Sequence, residues 1–270
     1  SLRSAKVRDG LATQGFNYIL NVQGEGVKPI TILQNILIAS DDMQKILEAM
    51  ATADIISATV TEKGYHLDTA GKLDLKDCDI ASDLKGYPLR TLIGFIAHDL
   101  ATRSRPVTVL SCDNRVENGS SLRRAVADFA KAARLEIDWT QVRFPNAMVD
   151  RITPATTDAV RADCNDPMAV PTEAFREWVI ENSFAGPHPD WPDVQFVEDV
   201  RPHELRKLRM LNGAHSFLAY AGLIQGYSYV HEAISDLRIR TKAKQLMLDA
   251  GATLPAEVRS QVPDYTKALL

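Results

Sequence analysis

Apolar runs and amphipathic stretches alternate through the first half of the chain. Runs rich in β-branched residues predict strands that are buried on both faces, and stretches with helical spacing predict helices between them. The predicted strands are residues 16–22, 30–33, 55–60 and 107–110, and the predicted helices are residues 41–53, 89–102 and 120–133. Gly24 and Gly26 predict a turn between the first two strands. This alternation is typical of a parallel sheet covered on both sides.

The pattern changes after residue 183. A cluster of prolines with one glycine predicts a loop over residues 183–192, and residues 194–197 predict a last short strand. From His203 almost to Leu248 the spacing of apolar residues predicts helix. Three glycines in this stretch are predicted close-packing or bend positions: Gly213, Gly222 and Gly226.

These elements predict an α/β protein with two domains. A parallel-sheet domain over residues 1–201 is followed by a mainly α-helical domain over residues 202–270, with the boundary near Pro202. A chain of 270 residues with 45% hydrophobic content can bury one large core or two modest cores. Neither an internal repeat nor a low-complexity segment is visible.

Charge and cysteine content narrow the classes of protein. The net charge is −4 and the isoelectric point is about 5.9, without a basic tract, which argues against binding to nucleic acid or an anionic membrane. No apolar run approaches about 18 residues, and residues 1–4 lack the apolar region of a signal peptide. Cys78, Cys112 and Cys164 form no Cys-x2-Cys pair, so neither a disulfide framework nor a structural metal site is expected. We expect a cytoplasmic protein.

Four polar residues are spaced along one predicted helix. Lys207, Asn212 and His215 stand at offsets of 0, 5 and 8, and Glu204 lies one turn before the lysine. At about 100° per residue, Asn212 lies roughly 140° from Lys207, and His215 falls between them at roughly 80°. Glu204 falls near the histidine, at roughly 60°. The spacing predicts that the four polar groups share one broad face.

Two leucines lie on that same face. Leu208 and Leu211 are placed among the polar residues, whereas a solvated helix normally keeps leucines off its polar side. A site wall, in which a few polar groups emerge from an apolar lining, fits this mixture. The spacing by itself leaves a second interpretation open, since basic residues along a helix are usually a solvated face and a lone histidine is usually a hydrogen-bonded bystander.

The motif Lys-x4-Asn-x2-His, which begins at Lys207, resembles a signature of the mannitol dehydrogenase family, the polyol-specific long-chain dehydrogenases. Further segments resemble the same family in the same order along the chain. They are residues 59–65, 111–114 with 118–119, 148–154, 175–181, 218–220, 222–227 and 229–233. The similarity extends from the first residues to about Lys267. By this resemblance the chain is identified as a member of the family.

The resemblance implies a fold, an activity and a cofactor. The fold is a Rossmann-like parallel-sheet domain, whose first strands are absent from this chain, followed by the helical domain. The activity is metal-independent hydride transfer between a polyol of the mannitol or arabinitol type and its 2-ketose, with NAD, or alternatively NADP, as cofactor. The expected partners are therefore small polyols and ketoses, and the expected assembly is a monomer or a homodimer. A uronate reductase of the fructuronate or tagaturonate type is the alternative within the family.

The resemblance also implies catalytic roles. Lys207 matches the acid/base that moves the hydroxyl proton. A lysine amine has a reference pKa of about 10.4, so a lysine base near neutral pH requires desolvation or cationic neighbours. Asn212 and Asn114 match paired amides that stabilise negative charge on the reacting oxygen, and His215 matches a residue that orients the substrate or the lysine. A cap on the turn before residue 120 is the alternative role of Asn114.

Other matched residues surround this set. Asp150 matches a residue that binds a substrate hydroxyl, and Glu204 matches a residue that gates a proton path to solvent. Thr61 and Glu62 are expected to line the cofactor pocket, since strands of nucleotide-binding domains end beside the ligand. An ion pair with Arg151 is the alternative role of Asp150. For Glu204 the alternative is a glutamate in the first turn of a helix, where the helix dipole favours acidic residues.

The chain departs from the family pattern at both ends. No Gly-x-Gly-x-x-Gly phosphate loop follows a strand, and Gly24 and Gly26 fit a hairpin turn instead. The chain therefore resembles the central portion of the family sequence, without the phosphate loop and without the later helices that carry basic substrate-binding residues. Ala174 stands where the family usually has proline, and Asn182 where it has aspartate. A non-catalytic fragment that binds no dinucleotide is the alternative that these departures leave open.

Overall fold

The computed structural model describes residues 2–270, and its contacts divide the chain into two units, Ser1–Phe196 and Val197–Leu270. The first unit combines strands and helices and the second is helical, which confirms the predicted fold class. Within residues 2–270, no helix combines the length and the apolar character that a membrane crossing requires.

Strands and helices alternate in the first unit, whereas helices dominate the second. The strands of the described residues are β1 (Tyr18–Val22), β2 (Gly26–Ile30), β3 (Ile55–Ala58), β4 (Val107–Ser111), β5 (Val142–Arg143), β6 (Ala147–Asp150), β7 (Val170–Thr172), β8 (Glu177–Glu181) and β9 (Val194–Val197). The helices of the first unit are α1 (Leu2–Thr13), α2 (Ala39–Thr52), α3 (Cys78–Asp83), α4 (Leu92–Thr102), α5 (Asn118–Ala133) and α6 (Asp158–Asp163), with 3₁₀ turns at Glu62–Tyr65 and Trp139–Gln141. The second unit contains α7 (Arg201–Arg206), a π-helical turn (Lys207–Asn212, the π-turn), α8 (Gly213–Ile224), α9 (Val230–Ser235), α10 (Leu237–Ala252), α11 (Ala256–Arg259) and α12 (Val262–Leu269).

Strand β4 is the centre of a parallel sheet with the order β3-β4-β5. Every residue of β4 is buried. Val107 and Val109 pack in a core with α4 and α5, and Leu110, which points to the other face, packs in a second core with Ala147 and Ile180. A strand covered on both faces needs an unbroken apolar run. The parallel sheet predicted from that run is therefore confirmed.

Two further sheets contain antiparallel pairs, and the turn predicted at Gly24 and Gly26 accounts for only one of them, the pair of β1 with β2. Strand β1 pairs antiparallel with β2 and parallel with β7, and β6 pairs antiparallel with β8, beside β9. The strand predicted at residues 30–33 is wrong, because β2 already begins at Gly26. Gly24 and Gly26 have φ values of +79° and +95° and close the turn early. Apolar Ile32, which suggested the later strand, is 83% exposed.

The second unit begins with one helix that contains an irregular turn. Helix α7, the π-turn and α8 follow one another without interruption. The helix predicted almost to Leu248 is broken at Gly226, where φ is +84°, and again at Asp236, whose carboxylate caps α10. Gly222 is a close-packing position as predicted, since an added Cβ would lie 2.8 Å from the Ala233 Cβ.

Arg103 links α2 to α4 through a buried ion pair. Its guanidinium lies 2.9 Å from the Asp99 carboxylate, and both side chains are almost completely buried. The same guanidinium donates to the backbone oxygens of Met50 and Ala53 at the end of α2. Burial raises the pKa of Asp99, and the Arg103 guanidinium opposes that effect only in part. The ionised carboxylate therefore depends on its partner.

We expect Arg103→Met to lower the free energy of unfolding by about 3–5 kcal/mol, because removing one partner leaves the other charge buried and uncompensated. Urea denaturation followed by circular dichroism measures this loss. Arg105→Met is the matched control, since Arg105 pairs with Asp54 at 2.8 Å on the exposed surface. Exposed pairs contribute at most about 1 kcal/mol. Equal losses in the two variants would contradict the importance of the buried pair.

Candidate active site

Three candidate residues lie at the carboxyl end of the parallel sheet. Thr61 and Glu62 follow β3, and Asn114 follows β4. Because β3 and β4 are parallel neighbours, their carboxyl ends share one edge, which is where open α/β sheets bind ligands. All three residues are exposed. Arg115 Nη1 lies 4.0 Å from Glu62 Oε1 and connects the two loops.

A buried tyrosine anchors these loops to the sheet. The Tyr65 hydroxyl lies 2.7 Å from Ser111 Oγ at the end of β4, and Ser111 Oγ donates to Asp113 Oδ1 at 3.2 Å. The Arg115 guanidinium lies over the Tyr65 ring, 5.6 Å from its centre, at cation–π distance. Burial raises the pKa of Tyr65, so its hydroxyl stays protonated and can donate to Ser111. These contacts fix the 3₁₀ turn after Thr61 against the end of β4.

Asn118 joins three elements, a role that the sequence analysis did not give it. Its Nδ2 donates to the backbone oxygens of Ser111 at 3.3 Å, Asp113 at 3.1 Å and Ala147 at 2.7 Å. Its Oδ1 accepts from the backbone amides of Gly119 at 2.7 Å and Ala147 at 2.9 Å. One buried side chain thus connects β4, the start of α5 and the start of β6. The available sequence signal was an Asn-Gly pair between a buried strand and a helix.

Asp150 lies in a different sheet from the strand that precedes Asn114. It is the last residue of β6, is 7% exposed and stands opposite Glu177 in the antiparallel register. Ala147, at the start of β6, is bonded to Asn118, so β6 is attached to the loop after β4. The structure therefore ties the Asp150 strand to the Asn114 loop without placing the two residues in one sheet.

The second unit carries the other candidate residues on one helix. Glu204 is a buried residue of α7. Lys207 and Asn212 are the first and last residues of the π-turn, and they are half-buried and exposed, respectively. His215 is exposed in the first turn of α8. A single helical backbone therefore positions all four side chains.

The angular positions predicted for this helix are wrong between Lys207 and Asn212, because the backbone there forms a π-turn. Hydrogen bonds in a π-turn span five residues instead of four, and the Gly213 amide donates to the Leu208 carbonyl in this pattern. Residues five apart are therefore stacked, where a regular α-helix would set them roughly 140° apart. The turn therefore reduces the angle between the backbone positions of Lys207 and Asn212 below the predicted value of roughly 140°. A Cβ on Gly213 would meet nothing closer than 3.9 Å, so tight packing does not explain this glycine.

His203 is a buried histidine that the sequence analysis did not single out. It precedes Glu204 in α7 and is 7% exposed. Burial lowers the pKa of His203, the nearby Arg206 cation lowers it further, and the Asp199 carboxylate partly opposes both effects. The imidazole is therefore neutral at neutral pH. A single histidine inside a helical pattern gives no signal of such an environment, because burial is decided by tertiary packing.

A parallel sheet with polar residues at its carboxyl edge, followed by a helical unit, defines a Rossmann-type α/β protein. Residues 2–193 match the Mannitol dehydrogenase Rossmann domain, and residues 199–270 match the Mannitol dehydrogenase C-terminal domain. The chain belongs to the mannitol dehydrogenase family, which confirms the resemblance found in the sequence motifs.

Curated relatives and solved structures agree with this assignment. The chain is 36% identical to a mannitol 2-dehydrogenase of Phaeosphaeria nodorum, over 99% of this chain and 52% of the relative. It is 42% identical to the D-mannonate oxidoreductase of Escherichia coli, over 78% of this chain and 48% of the relative. The Pseudomonas fluorescens mannitol 2-dehydrogenase, solved as a ternary complex with NAD and D-mannitol, is 35% identical with a TM-score of 0.89, over 100% of this chain and 60% of that one. The chain spans about half the length of the curated relatives it matches.

We expect Asn118→Asp to lower the free energy of unfolding by about 3 kcal/mol or more, because a carboxylate cannot donate to the three backbone oxygens that the buried amide bonds. Burial opposes ionisation of the introduced carboxyl group in the folded state. The loss of unfolding free energy should therefore grow as the pH rises above the pKa that this carboxyl group has in the unfolded chain. Urea denaturation at several pH values measures both effects.

Asn17→Asp is the matched control for this substitution. Asn17 is exposed, so the same chemical change should alter the free energy of unfolding by at most about 0.5 kcal/mol. A small, pH-independent effect of Asn118→Asp, similar to that of the control, would show that the buried amide does not hold these elements together.

Proposed function

We propose that the protein containing this chain is a metal-independent, NAD-dependent oxidoreductase that interconverts a polyol and its 2-ketose by hydride transfer. Membership of the mannitol dehydrogenase family and the relatives named mannitol 2-dehydrogenase support this function. The observation that carries the proposal is the π-turn, whose five-residue hydrogen-bond step has Lys207 and Asn212 at its two ends, one with an amine and the other with an amide donor. Oxidation of a secondary alcohol requires a proton acceptor and a hydrogen-bond donor at the same oxygen.

The carboxyl edge of the parallel sheet fits a nicotinamide dinucleotide. Thr61, Glu62 and Asn114 are exposed there and offer a hydroxyl, a carboxylate and an amide, which suit ribose hydroxyls and a carboxamide group. Bound at this edge, NAD supplies the hydride acceptor, and NADP is the alternative. The NAD in the Pseudomonas fluorescens complex supports the first choice.

Lys207 takes the proton that leaves the substrate hydroxyl. In the oxidation direction the carbinol carbon gives up a hydride, the hydroxyl oxygen gives its proton to the neutral Lys207 amine, and the C=O bond forms. Glu204, buried one helical turn earlier, passes the proton towards solvent. Reduction of the ketose is the reverse, with the ammonium form of Lys207 as the proton donor.

The remaining candidate residues bind and orient the substrate. Asn212 and Asn114 donate hydrogen bonds to the reacting oxygen while it carries negative charge. An amide suits this role because it offers a dipole without adding a titrating group. His215 orients the substrate or the lysine, and the Asp150 carboxylate accepts a hydrogen bond from a substrate hydroxyl.

Reduction of a sugar acid is the second candidate function. The 42% identity to the D-mannonate oxidoreductase of Escherichia coli favours it, since the name of that relative specifies a carboxylate substrate. The buried Asp150 carboxylate favours the polyol instead, because it would repel a substrate carboxylate placed beside it. We therefore place the polyol reaction first.

We expect the full gene product to reduce NAD with mannitol or arabinitol and to oxidise NADH with fructose. The absorbance of NADH, and of NADPH in parallel assays, measures both directions. Fructuronate, tagaturonate and mannonate test the sugar-acid alternative in the same assays. Turnover of the acids alone would replace the polyol proposal, and no absorbance change with any of these compounds would refute both.

We expect Lys207→Ala to lower kcat by roughly 10²–10⁴-fold, which is the contribution of a positioned acid/base group. Wild-type oxidation should rise with pH, because only the neutral amine accepts a proton, and Lys207→Ala should lose this rise. Binding of NADH, measured by fluorescence titration, should stay nearly unchanged.

Lys244→Ala is the matched control for the loss of a lysine from the second unit, since Lys244 is exposed in α10. It should retain both kcat and the pH profile. A Lys207→Ala variant that keeps the wild-type rise with pH, or inhibition of the wild type by a metal chelator, would remove Lys207 from the proposed role.

A further inference from the structure

The π-turn needs a physical cause, because π-helical hydrogen bonding is rare and occurs mostly as single turns inside α-helices. The preceding α7 and the following α8 are regular α-helix, so the irregularity is confined to Lys207–Asn212. Local propensity does not favour it over most of its length, since the lysine, leucines, arginine and methionine of the turn favour the α-helix, and only Asn212 at its end and Gly213 after it do not. Contacts of the side chains with the rest of the second unit must therefore hold the turn.

The first such contact lies just before the π-turn. Arg206, the last residue of α7, is 3% exposed. Its guanidinium stacks over the Tyr265 ring, 4.4 Å from the ring centre, and donates to Gln261 Oε1. A buried guanidinium that stacks on an aromatic ring and bonds to a side-chain oxygen has a restricted position. The helix therefore enters the π-turn in a fixed orientation relative to α12.

The second contact starts inside the turn. Arg209 Nη1 donates to the Thr253 backbone oxygen at 2.8 Å and to Thr253 Oγ1 at 2.9 Å. Thr253 caps the C-terminal end of α10, where backbone carbonyls lack helical partners and the helix dipole attracts cations. Arg209 thus occupies a favourable site on α10 and fastens the middle of the π-turn to it.

A third contact is apolar. Met210 is completely buried, and the π-turn packs against α10. Arg206, Arg209 and Met210 are therefore the residues through which this part of the helix contacts the rest of the second unit. These three residues hold the turn against the C-terminal helices, while Lys207 and Asn212 stand at the two ends of the turn, outside this set.

We infer that Arg209 is a positioning residue whose bond to Thr253 holds the π-turn in register. If the turn relaxed to α-helical bonding, Asn212 would rotate away from Lys207, so the Arg209–Thr253 contact sets the relative position of the amine and the amide. The catalytic consequence rests on the proposed function. The effect of Arg209 on the backbone of the π-turn is independent of the proposed function, and the catalytic and backbone effects can be measured separately.

Hydrogen exchange tests the structural part in the full gene product. Arg209→Ala should speed the exchange of amides in residues 207–213 by about tenfold or more, because a charge-assisted hydrogen bond opposes local opening. Arg209→Lys should restore much of the protection, since an ammonium also donates to the Thr253 oxygen. The matched control is Arg259→Ala, which removes an arginine of α11 whose side chain donates to the neighbouring Leu254 oxygen at 2.6 Å. Unchanged exchange at 207–213 in Arg209→Ala overturns the inference.

Kinetics and lysine labelling test the positioning part. Arg209→Ala should lower kcat by about tenfold with the KM values of polyol and NAD within about twofold of wild type, because the contact acts on the reacting groups and not on binding. Faster exchange with an unchanged kcat overturns the positioning role. A wild type without any hydride transfer refutes the proposed function instead. The rate of Lys207 acetylation by acetic anhydride then decides: a changed rate in Arg209→Ala supports the positioning role, and an unchanged rate overturns it.

Discussion

Burial of β4 on both faces is the constraint on which the first unit depends. A strand without solvent contact must satisfy its backbone groups through neighbouring strands, and β3 and β5 do so on its two sides. Its carboxyl end must satisfy polar groups as well. The Asn118 amide donates a hydrogen bond to the Ser111 carbonyl, and the Tyr65 hydroxyl is hydrogen-bonded to the Ser111 hydroxyl. These buried bonds fix the two loops at the sheet edge while their candidate residues remain exposed. The requirement to bury one strand thus produces a rigid, polar edge suited to a ligand.

The second unit depends on a constraint of a different kind, the departure of its first helix from α-helical bonding. Strained or rare backbone conformations persist only where surrounding contacts compensate for them, and they concentrate at functional sites. In this chain the compensation comes from Arg206, Arg209 and Met210, whose partners lie in α10, in α12 and in the segment before α12. The free-energy cost of the irregular backbone is confined to this one turn, which carries two of the candidate residues. Lys207 and Asn212, which a uniform helix would set roughly 140° apart, are the two ends of one π-helical turn.

Membership of the family does not by itself determine which class of substrate this protein would use. Identity is 42% to a D-mannonate oxidoreductase over 78% of this chain and 36% to a mannitol 2-dehydrogenase over 99% of it, so identity alone does not separate the two substrate classes. A shared scaffold does not fix the substrate, which is selected by a few groups in the site. In the proposed site, Asp150 is the buried carboxyl group on which the preference for a polyol over a sugar acid rests, since an ionised carboxylate opposes a second one. The proposed substrate class therefore depends on the charge of individual side chains in the site and not on sequence identity along the whole chain.

The sequence by itself determined the family, the identities of the candidate residues, the fold class and most of the regular elements. The predicted strands at 107–110 and 194–197 and the helix at 120–133 nearly coincide with β4, β9 and α5, because periodicity reports which faces of an element are buried. Only the tertiary structure decided the early start of the hairpin strand β2, the antiparallel pairing of β6 with β8, the connecting role of Asn118 and the π-turn. Strand pairing joins residues that are distant along the chain, and a five-residue hydrogen-bond step follows from contacts such as that of Arg209 with Thr253. Neither the pairing of distant strands nor the π-turn changes the periodic pattern of apolar and polar residues from which elements are predicted.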